Sequence, residues 1–400
     1  MVIPAPIQAL LDRLDEAGEV GYLVGGCLRD SLLGITPHDF DIATSARPER
    51  TAEIFSDYRV IPTGIKHGTV TVLAEGTPVE ITTFRIDGAY TDSRHPDSVR
   101  FADRVNEDLA RRDFTVNAMA YHPSRELVDL FGGRKDLDAK IIRAVGDPAT
   151  RFSEDALRIL RAFRFSAQLD FSIHEDTLAG AKETREGLRQ IAKERIASEW
   201  LRLLTSPSPI RPIRQMAELG ILSYIVGAYT PSEPILTNLP KMAANTDARL
   251  GIFFVETSEE DAKQLLSSLK YSNRQITGAL AVRRGALLSV DSPKDAGRFR
   301  AATGCYAADA IHASILLGHS PKDAEEWIKQ STAPCRLTDL ALTGRDLCAL
   351  GLEGKEIGTV LSALLTLAME DPTLNRRETL LSLAKQMRTQ KSTTKEQNRI

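Results

Sequence analysis

Gly25-Gly26-Cys27-Leu28-Arg29-Asp30, followed by Gly34 and then by Asp39-Phe40-Asp41, is the stretch on which the reading of this chain turns. It sets two carboxylates just downstream of a glycine pair and an arginine. Side chains at i and i+2 of a strand point the same way, so Asp39 and Asp41 can chelate hard divalent cations together while Phe40 packs into the core behind them. Two such cations clamp the attacking and leaving oxygens of an in-line displacement at phosphorus, which is the equipment of nucleotidyl transfer. Gly25 and Gly26 let the backbone come close to a bulky anion, and Arg29, where a short helix begins, adds a guanidinium suited to a triphosphate. Taken singly, a Gly-Gly turn or an acidic pair near a strand end also serves purely structural ends.

Outward from this stretch, Gly21-Tyr22-Leu23-Val24 reads as a strand running into the glycine pair, and 30–33 as a helical turn stopped by Gly34. Residues 69–73 and 79–84 alternate like half-buried strands across an Ala-Glu-Gly-Thr-Pro turn and predict a hairpin. Alternation puts Glu80 on its polar side with Thr82, as a third carboxylate or as a partner in a cross-strand ion pair. Residues 87–106 turn polar and read as a long mobile loop. From Ser153 strand signals nearly vanish; 154–169 and 177–204 predict amphipathic helices, and Thr205-Ser206-Pro207-Ser208-Pro209 breaks the pattern before further helices. The expected fold is α+β, a mixed-sheet head followed by an all-helical remainder, with 388–400 too polar to order.

Two further clusters carry chemistry. In Arg111-Arg112-Asp113-Phe114-Thr115-Val116-Asn117 the arginines can pair with phosphate oxygens, while Asp113 and Asn117, four apart, would share a helix face and could hydrogen-bond a ribose. A capped helical turn is the structural alternative. In Glu154-Asp155-Ala156-Leu157-Arg158, Asp155 and Arg158 are three apart on the predicted helix and offer an acceptor edge beside a donor fork, which matches the hydrogen-bonding edge of a base. Arg161 and Arg164 continue the stripe obliquely. A surface salt bridge, worth ~0.3–0.5 kcal/mol, is the alternative here.

Composition bounds the rest. The chain has 400 residues, 42% hydrophobic and 26% charged, with no apolar run near the ~20 residues of a membrane span. The N-terminus, Met1-Val2-Ile3-Pro4-Ala5-Pro6, shows neither a basic region nor an apolar one of the secretory kind, so a cytoplasmic protein without membrane partners is expected. Cys27, Cys305, Cys335 and Cys348 form no C-x-x-C pair and read as small buried hydrophobes, and the histidines lack ligand spacing, which argues against transition-metal chemistry. A net charge of -3 does not announce a polyanion binder, but basic residues outnumber acidic ones after Asp371, as a solvated tail or a phosphate contact.

In order and spacing these clusters resemble the class II tRNA nucleotidyltransferases, or CCA-adding enzymes, of the DNA polymerase beta superfamily, together with bacterial poly(A) polymerases. The resemblance runs almost without a gap from Tyr22 to about Glu199; Leu342-Thr343-Gly344-Arg345-Asp346-Leu347 resembles the family's C-terminal helical region. It implies a nucleotidyltransferase head over 1–146, a helical neck over 147–225, a body over 226–330 and a tail over 331–387. It implies that Gly26 and Arg29 contact the triphosphate, that Asp39 and Asp41 hold Mg2+, and that Arg112 lies in the ribose and phosphate region. Asp155 and Arg158 would be the amino-acid template that selects CTP or ATP, with Arg161 and Arg164 at further nucleotide-binding positions. The expected partner is tRNA, held by its acceptor and TΨC arms. Full CCA addition, partial addition of CC or A, and poly(A) synthesis are alternatives within the family, of which the 87–96 loop pattern favours the first. A catalytically inactive RNA-binding protein is the alternative from another class.

Overall fold

The computed structural model describes residues 3–65, 68–87 and 99–397. The loop expected over 87–106 therefore falls largely outside the described residues, as do the last three residues of the tail expected to lack order. The chain divides into two compact units, Met1–Ala228 and Tyr229–Ile400.

The first unit opens with helix α1 (Ala5–Glu16), whose Ile7, Leu10, Leu11 and Leu14 form one apolar stripe buried against a sheet. Strand β1 (Gly21–Val24) follows, then α2 (Gly26–Leu32), β2 (Phe40–Thr44), α3 (Pro48–Ile54), β3 (Arg59–Gly64), β4 (Thr69–Ala74) and β5 (Thr77–Thr83). The expected hairpin is β4–β5, closed by Glu75 and Gly76, both at positive φ (49° and 85°) as a tight two-residue turn requires. Helix α2 begins earlier than the apolar pattern indicated, at Gly26, and still stops before Gly34 (φ 76°).

Next come β6 (Arg85–Asp87) and β7 (Val99–Phe101), paired antiparallel, then α4 (Val105–Ala110), β8 (Met119–Tyr121), β9 (Val128–Asp129) and α5 (Gly133–Asp138). The main sheet has seven strands in the order β3-β4-β5-β2-β1-β8-β9. It is mixed: β2 and β5 run parallel, and the other neighbours are antiparallel. Phe40 and Ile42 pack with α1 and α3 on one face; Val24, Ala43, Phe84 and Leu109 pack on the other. The period of two thus turns Asp41 away from the Phe40 core, as anticipated.

Two short parallel strands, β10 (Ile141–Ile142) and β11 (Ser172–Ile173), bracket helices α6 (Pro148–Glu154) and α7 (Leu157–Leu169). After β11 come α8 (Glu175–Thr184) and α9 (Lys193–Leu204), joined by a 3-10 segment over Arg185–Gln190. Two sequence expectations change here. The helix predicted over 154–169 is broken at Asp155 (φ -143°, ψ 102°), and that predicted over 177–204 is two helices. The first break arises because the Asp155 carboxylate accepts the Leu157 N–H at 3.0 Å, a local bond that competes with helix continuation.

The second unit is helical throughout its described residues. Val290, Phe299, Ile311 and Ile328 belong to one core; Leu340, Leu347, Leu364 and Leu380 belong to another. Thr343 caps the helix Gly344–Cys348 reciprocally with Asp346, which also takes Arg377 at 2.6 Å. The backbone of 388–397 continues the last helix, Arg377–Gln397, where composition predicted no order. The cysteine expectation holds only for Cys27, which is buried; Cys305 and Cys348 are exposed and Cys335 is half-buried, because they sit on the outward faces and connections of these helices. No helix among the described residues is long and apolar enough to cross a membrane.

Candidate active site

A cavity of about 440 Å³ lies within the first unit, lined from the sheet side by Gly25, Gly26, Arg29 and Asp41, and from the helices by Asp155, Leu157, Arg158, Arg161, Phe165 and Arg195. Arg111, Arg112, Asp113 and Asn117 complete the wall. Four sequence clusters, the first and last of them more than a hundred residues apart, thus meet in one place.

Gly25 shows why this position takes glycine. Its φ is 72°, and a Cβ there would stand 3.1 Å from Nη1 of Arg112 and 3.8 Å from Oδ2 of Asp41. Asp41 faces Glu80 directly in the parallel β2–β5 register. Burial, the Glu80 charge and, more weakly, Asp39 push the Asp41 carboxyl up to about 6 against the opposing pull of Arg112. Asp39 is exposed and precedes β2 rather than lying in it, so the predicted strand pairing of the two aspartates is replaced by a pair at the strand's entry. Neither Asp39 nor Glu80 lines the cavity, yet both charges are felt by Asp41.

The like charges of Glu80 and Asp39, which raise the Asp41 carboxyl, would be relieved by a bound cation. The oxygen-only donor set fits a hard divalent ion. Among the described residues no group of three or more His, Cys, Asp and Glu side chains is placed to hold a metal ion.

The cationic wall is built on two buried carboxylates. Asp108, 1% exposed, accepts Nε and Nη2 of Arg111 at 2.9 and 2.7 Å on one oxygen and Nη2 of Arg112 at 3.0 Å on the other. Burial works against the Asp108 charge; the two guanidiniums outweigh it and hold the carboxyl below its ordinary range. Asp113 takes Arg161 through Nε at 2.8 Å and Nη2 at 2.6 Å, and its other oxygen accepts Nδ2 of Asn117 at 3.1 Å. Asn117 in turn accepts Nη1 of Arg29 at 2.8 Å. Burial would raise the Asp113 carboxyl, but Arg161 and these bonds bring it down to about 2. A 3-10 turn, Thr115–Asn117, brings Asp113 and Asn117 together, not the shared helix face the spacing suggested.

Beneath this network lies Phe165, with the guanidinium carbons of Arg29, Arg161 and Arg164 at 5.1, 5.4 and 3.9 Å from its centroid. Arg164 does not line the cavity. Its Nε donates to Glu199 at 2.5 Å and Nη1 to Gln168 at 2.7 Å, both partners of the Glu199 pair being 7% exposed. Its surroundings are those of a buried ion pair between α7 and α9, unlike the nucleotide contact expected of it.

Asp155 and Arg158 both face the cavity, though not as i and i+3 of one helix. Asp155 accepts Nη2 of Arg195 at 2.9 Å on its second oxygen. Arg158 donates to Glu154 at 2.6 Å and to the carbonyls of Arg151 and Arg111 at 3.2 Å. Arg195, Phe165 and Asp108 escaped the sequence reading. Only the basic start of an amphipathic helix marked Arg195, and its partner is forty positions away.

Residues 21–143 match the family model of the Poly A polymerase head domain, and 170–231 match that of the probable RNA and SrmB-binding site of polymerase A. A mixed-sheet nucleotidyltransferase head joined to RNA-binding helices is the class that fold and site define. The chain is 38% identical to the CCA-adding enzyme of Limosilactobacillus fermentum over 393 residues, covering 95% of this chain and 96% of the relative. It is 36% identical to that of Ligilactobacillus salivarius over 387 residues, covering 94% and 95%. In structure it is similar to the Bacillus stearothermophilus CCA-adding enzyme in complex with CTP (TM-score 0.83, 28% identity, 99% and 100% of the two chains). The Thermotoga maritima CCA-adding enzyme complexed with tRNA_CCA gives a TM-score of 0.66 at 25% identity, over 96% and 95%. The chain therefore belongs to the CCA-adding enzymes, a family of tRNA nucleotidyltransferases that work with divalent metal ions.

Proposed function

We propose that this chain adds CCA to the 3' end of tRNA from CTP and ATP, without a nucleic acid template, releasing pyrophosphate at each step. The observation that carries the reading is the convergence of Asp41, Arg29 and Arg112 with Asp155 and Arg158 around one cavity large enough for a nucleotide. Gly25 and Gly26 give a triphosphate room beside α2, and Arg29, Arg111 and Arg112 offset its charge. Asn117 and Asp113 face the ribose region. Asp39 and Asp41 would hold Mg2+, with Glu80 supporting the charge at Asp41; the bound ions supply activation of the 3'-hydroxyl and stabilisation of the leaving pyrophosphate.

Base choice follows from donor and acceptor patterns. Cytosine N4 and adenine N6 are donors that Asp155 accepts, and cytosine N3 and adenine N1 are acceptors that Arg158 satisfies. Uracil and guanine present the reverse pattern and would leave buried polar groups unpaired at ~1–3 kcal/mol each. The relatives, matched over nearly their whole length, favour full CCA addition over partial addition or poly(A) synthesis. On this reading 1–146 is the head and 147–225 the neck. The helices of 226–330 and 331–387 hold the acceptor and TΨC arms by shape and phosphate contacts, and the proposed location is the cytoplasm.

Asp41→Ala tests the assignment. Incorporation of CTP and ATP is expected to vanish while binding of labelled tRNA stays within about threefold of wild type. Wild-type turnover in that variant would refute the site.

A further inference from the structure

A second cavity, of about 560 Å³ against about 440 Å³ at the candidate active site, lies within the second unit and has no part in the reading above. It is bordered by the helices Asn273–Ala286 and Ala296–Thr303, the turn Gly304–Tyr306 and the connection over 335–339. We propose that this cavity binds a nucleoside monophosphate unit, its phosphate held by Arg300 and Arg336 and its base laid over Leu280 and Ala281. The chemistry is common to a free mononucleotide and to an unpaired nucleotide of a bound RNA, and it does not depend on which groups catalyse in the first unit.

Three guanidiniums but only one carboxylate border the cavity. Arg284 is already engaged: it pairs with Glu259 and donates Nη1 to the Ala302 carbonyl at 2.9 Å. The carboxylate, Asp339, serves its own turn, where Oδ2 accepts the backbone N–H groups of Cys335 and Arg336 at 3.0 and 2.9 Å. Among the described residues Arg300 meets no carboxylate; its Nη1 donates to the Ser331 carbonyl, which leaves the rest of its fork for a ligand. Nε of Arg336 stands 3.9 Å from Asp339, beyond hydrogen-bond reach. Both charges are felt at one point, the half-buried thiol of Cys335, which burial raises and the two guanidiniums pull down. Two planar forks meeting there match the one or two negative charges of a phosphate ester and fall short of a triphosphate's. The buried Leu280 and Ala281 supply an apolar floor for a flat ring, and Tyr306 borders the same space as a stacking partner.

Cysteines make the site readable. Cys305 and Cys335 line the cavity, whereas Cys348, exposed in the same unit, does not. The test follows N-ethylmaleimide labelling of each cysteine by peptide mass spectrometry, with Cys348 as internal standard, in the full chain alone and with CMP, AMP, inorganic phosphate or tRNA ending in CCA. A phosphate on the two guanidiniums offsets the charges that favour the Cys335 thiolate, and the base covers the sulfur. Saturating ligand should therefore slow Cys335 relative to Cys348 about fivefold or more. Arg336→Glu, at a side chain 81% exposed, leaves the packing intact and should abolish the slowing, as should Arg300→Ala; should Arg300→Ala fail to fold, Arg336→Glu decides alone. Protection by CMP or AMP supports the free mononucleotide as the ligand, and protection by tRNA alone supports the nucleotide within RNA. Inorganic phosphate protecting as well as CMP and AMP at equal concentration would overturn the inference, since the base would then add nothing. Labelling rates that no ligand changes, or protection that survives Arg336→Glu, would overturn it too. Such a failure leaves the catalytic reading untouched, because Asp41→Ala tests that reading by itself.

Discussion

Replacing Asp113 by asparagine removes one charge from the centre of the cationic wall while keeping the shape of the side chain. Asp113 is 8% exposed, holds Arg161 by two bonds and positions Asn117 for Arg29. Its carboxyl sits at about 2 in the fold, against about 3.9 in an unfolded chain. A depressed carboxylate stabilises the fold above its unfolded value, and that stability is lost as pH falls through the folded one. The difference corresponds to about 2–3 kcal/mol, wholly present at neutral pH and roughly half retained at pH 3. Asp113→Asn should therefore cost at least about 2 kcal/mol between pH 5 and 8, and the gap to wild type should narrow below pH 4. Trp200 is buried in the first unit, and the other tryptophan, Trp327, lies in the second. Urea unfolding followed by fluorescence in a Trp327→Phe background thus reports the unit that matters, without assuming that the whole chain unfolds in one step. A loss under about 1 kcal/mol, or a gap that stays constant down to pH 3, would refute the electrostatic account of this wall.

The raised carboxyl of Asp41 works in the opposite sense. Its stabilising, protonated form is fully present below the unfolded value and is lost as pH rises through about 6, so the metal-free fold is penalised above that pH. Asp41→Asn should raise the melting temperature at pH 8 without divalent ions, while the gain shrinks as pH falls from 6 toward 4; an unchanged Tm at pH 8 speaks against it. Glu199→Ala strands Arg164 in the interior and should cost about 3–5 kcal/mol by urea unfolding, with most of the loss recovered in Arg164→Met/Glu199→Leu; full stability in the single variant contradicts the buried pair. Asp108→Asn loosens Arg111 and Arg112 together and should raise KM for both CTP and ATP about tenfold with a smaller change in kcat, and an unaltered KM would remove these arginines from triphosphate binding.

Local patterns carried much of this architecture. The β4–β5 hairpin is written in period-two alternation and a Glu-Gly turn; the same alternation puts Glu80 on the polar side of its strand, and the β2–β5 register sets it opposite Asp41. The glycine pair, Arg29 and the two aspartates were legible because their chemistry needs adjacent residues. What stayed hidden depends on contacts between distant positions. The Asp155 break looked helical because Ala156, Leu157 and Arg158 favour helix, and only the side-chain bond to Leu157 N–H interrupts it. Arg164 fell on the same stripe as Arg158 and Arg161, and its diversion to Glu199 follows from the packing of α7 on α9, which periodicity does not encode. Asp108 resembled an ordinary acidic residue in the first turn of a helix until burial and two arginine partners identified it as the anchor of the cationic wall.

On the proposed reading one cavity, with the protein itself choosing the base, builds CCA and stops. Primer extension on three tRNA substrates, ending before CCA, after C and after CC, with each of the four nucleotides singly and with CTP plus ATP, addresses it directly. The account predicts that all three grow to a product ending at CCA, only with divalent metal and without use of GTP or UTP. Extension of the CC-ended substrate alone, an unbounded A ladder, or no extension of any substrate would contradict it.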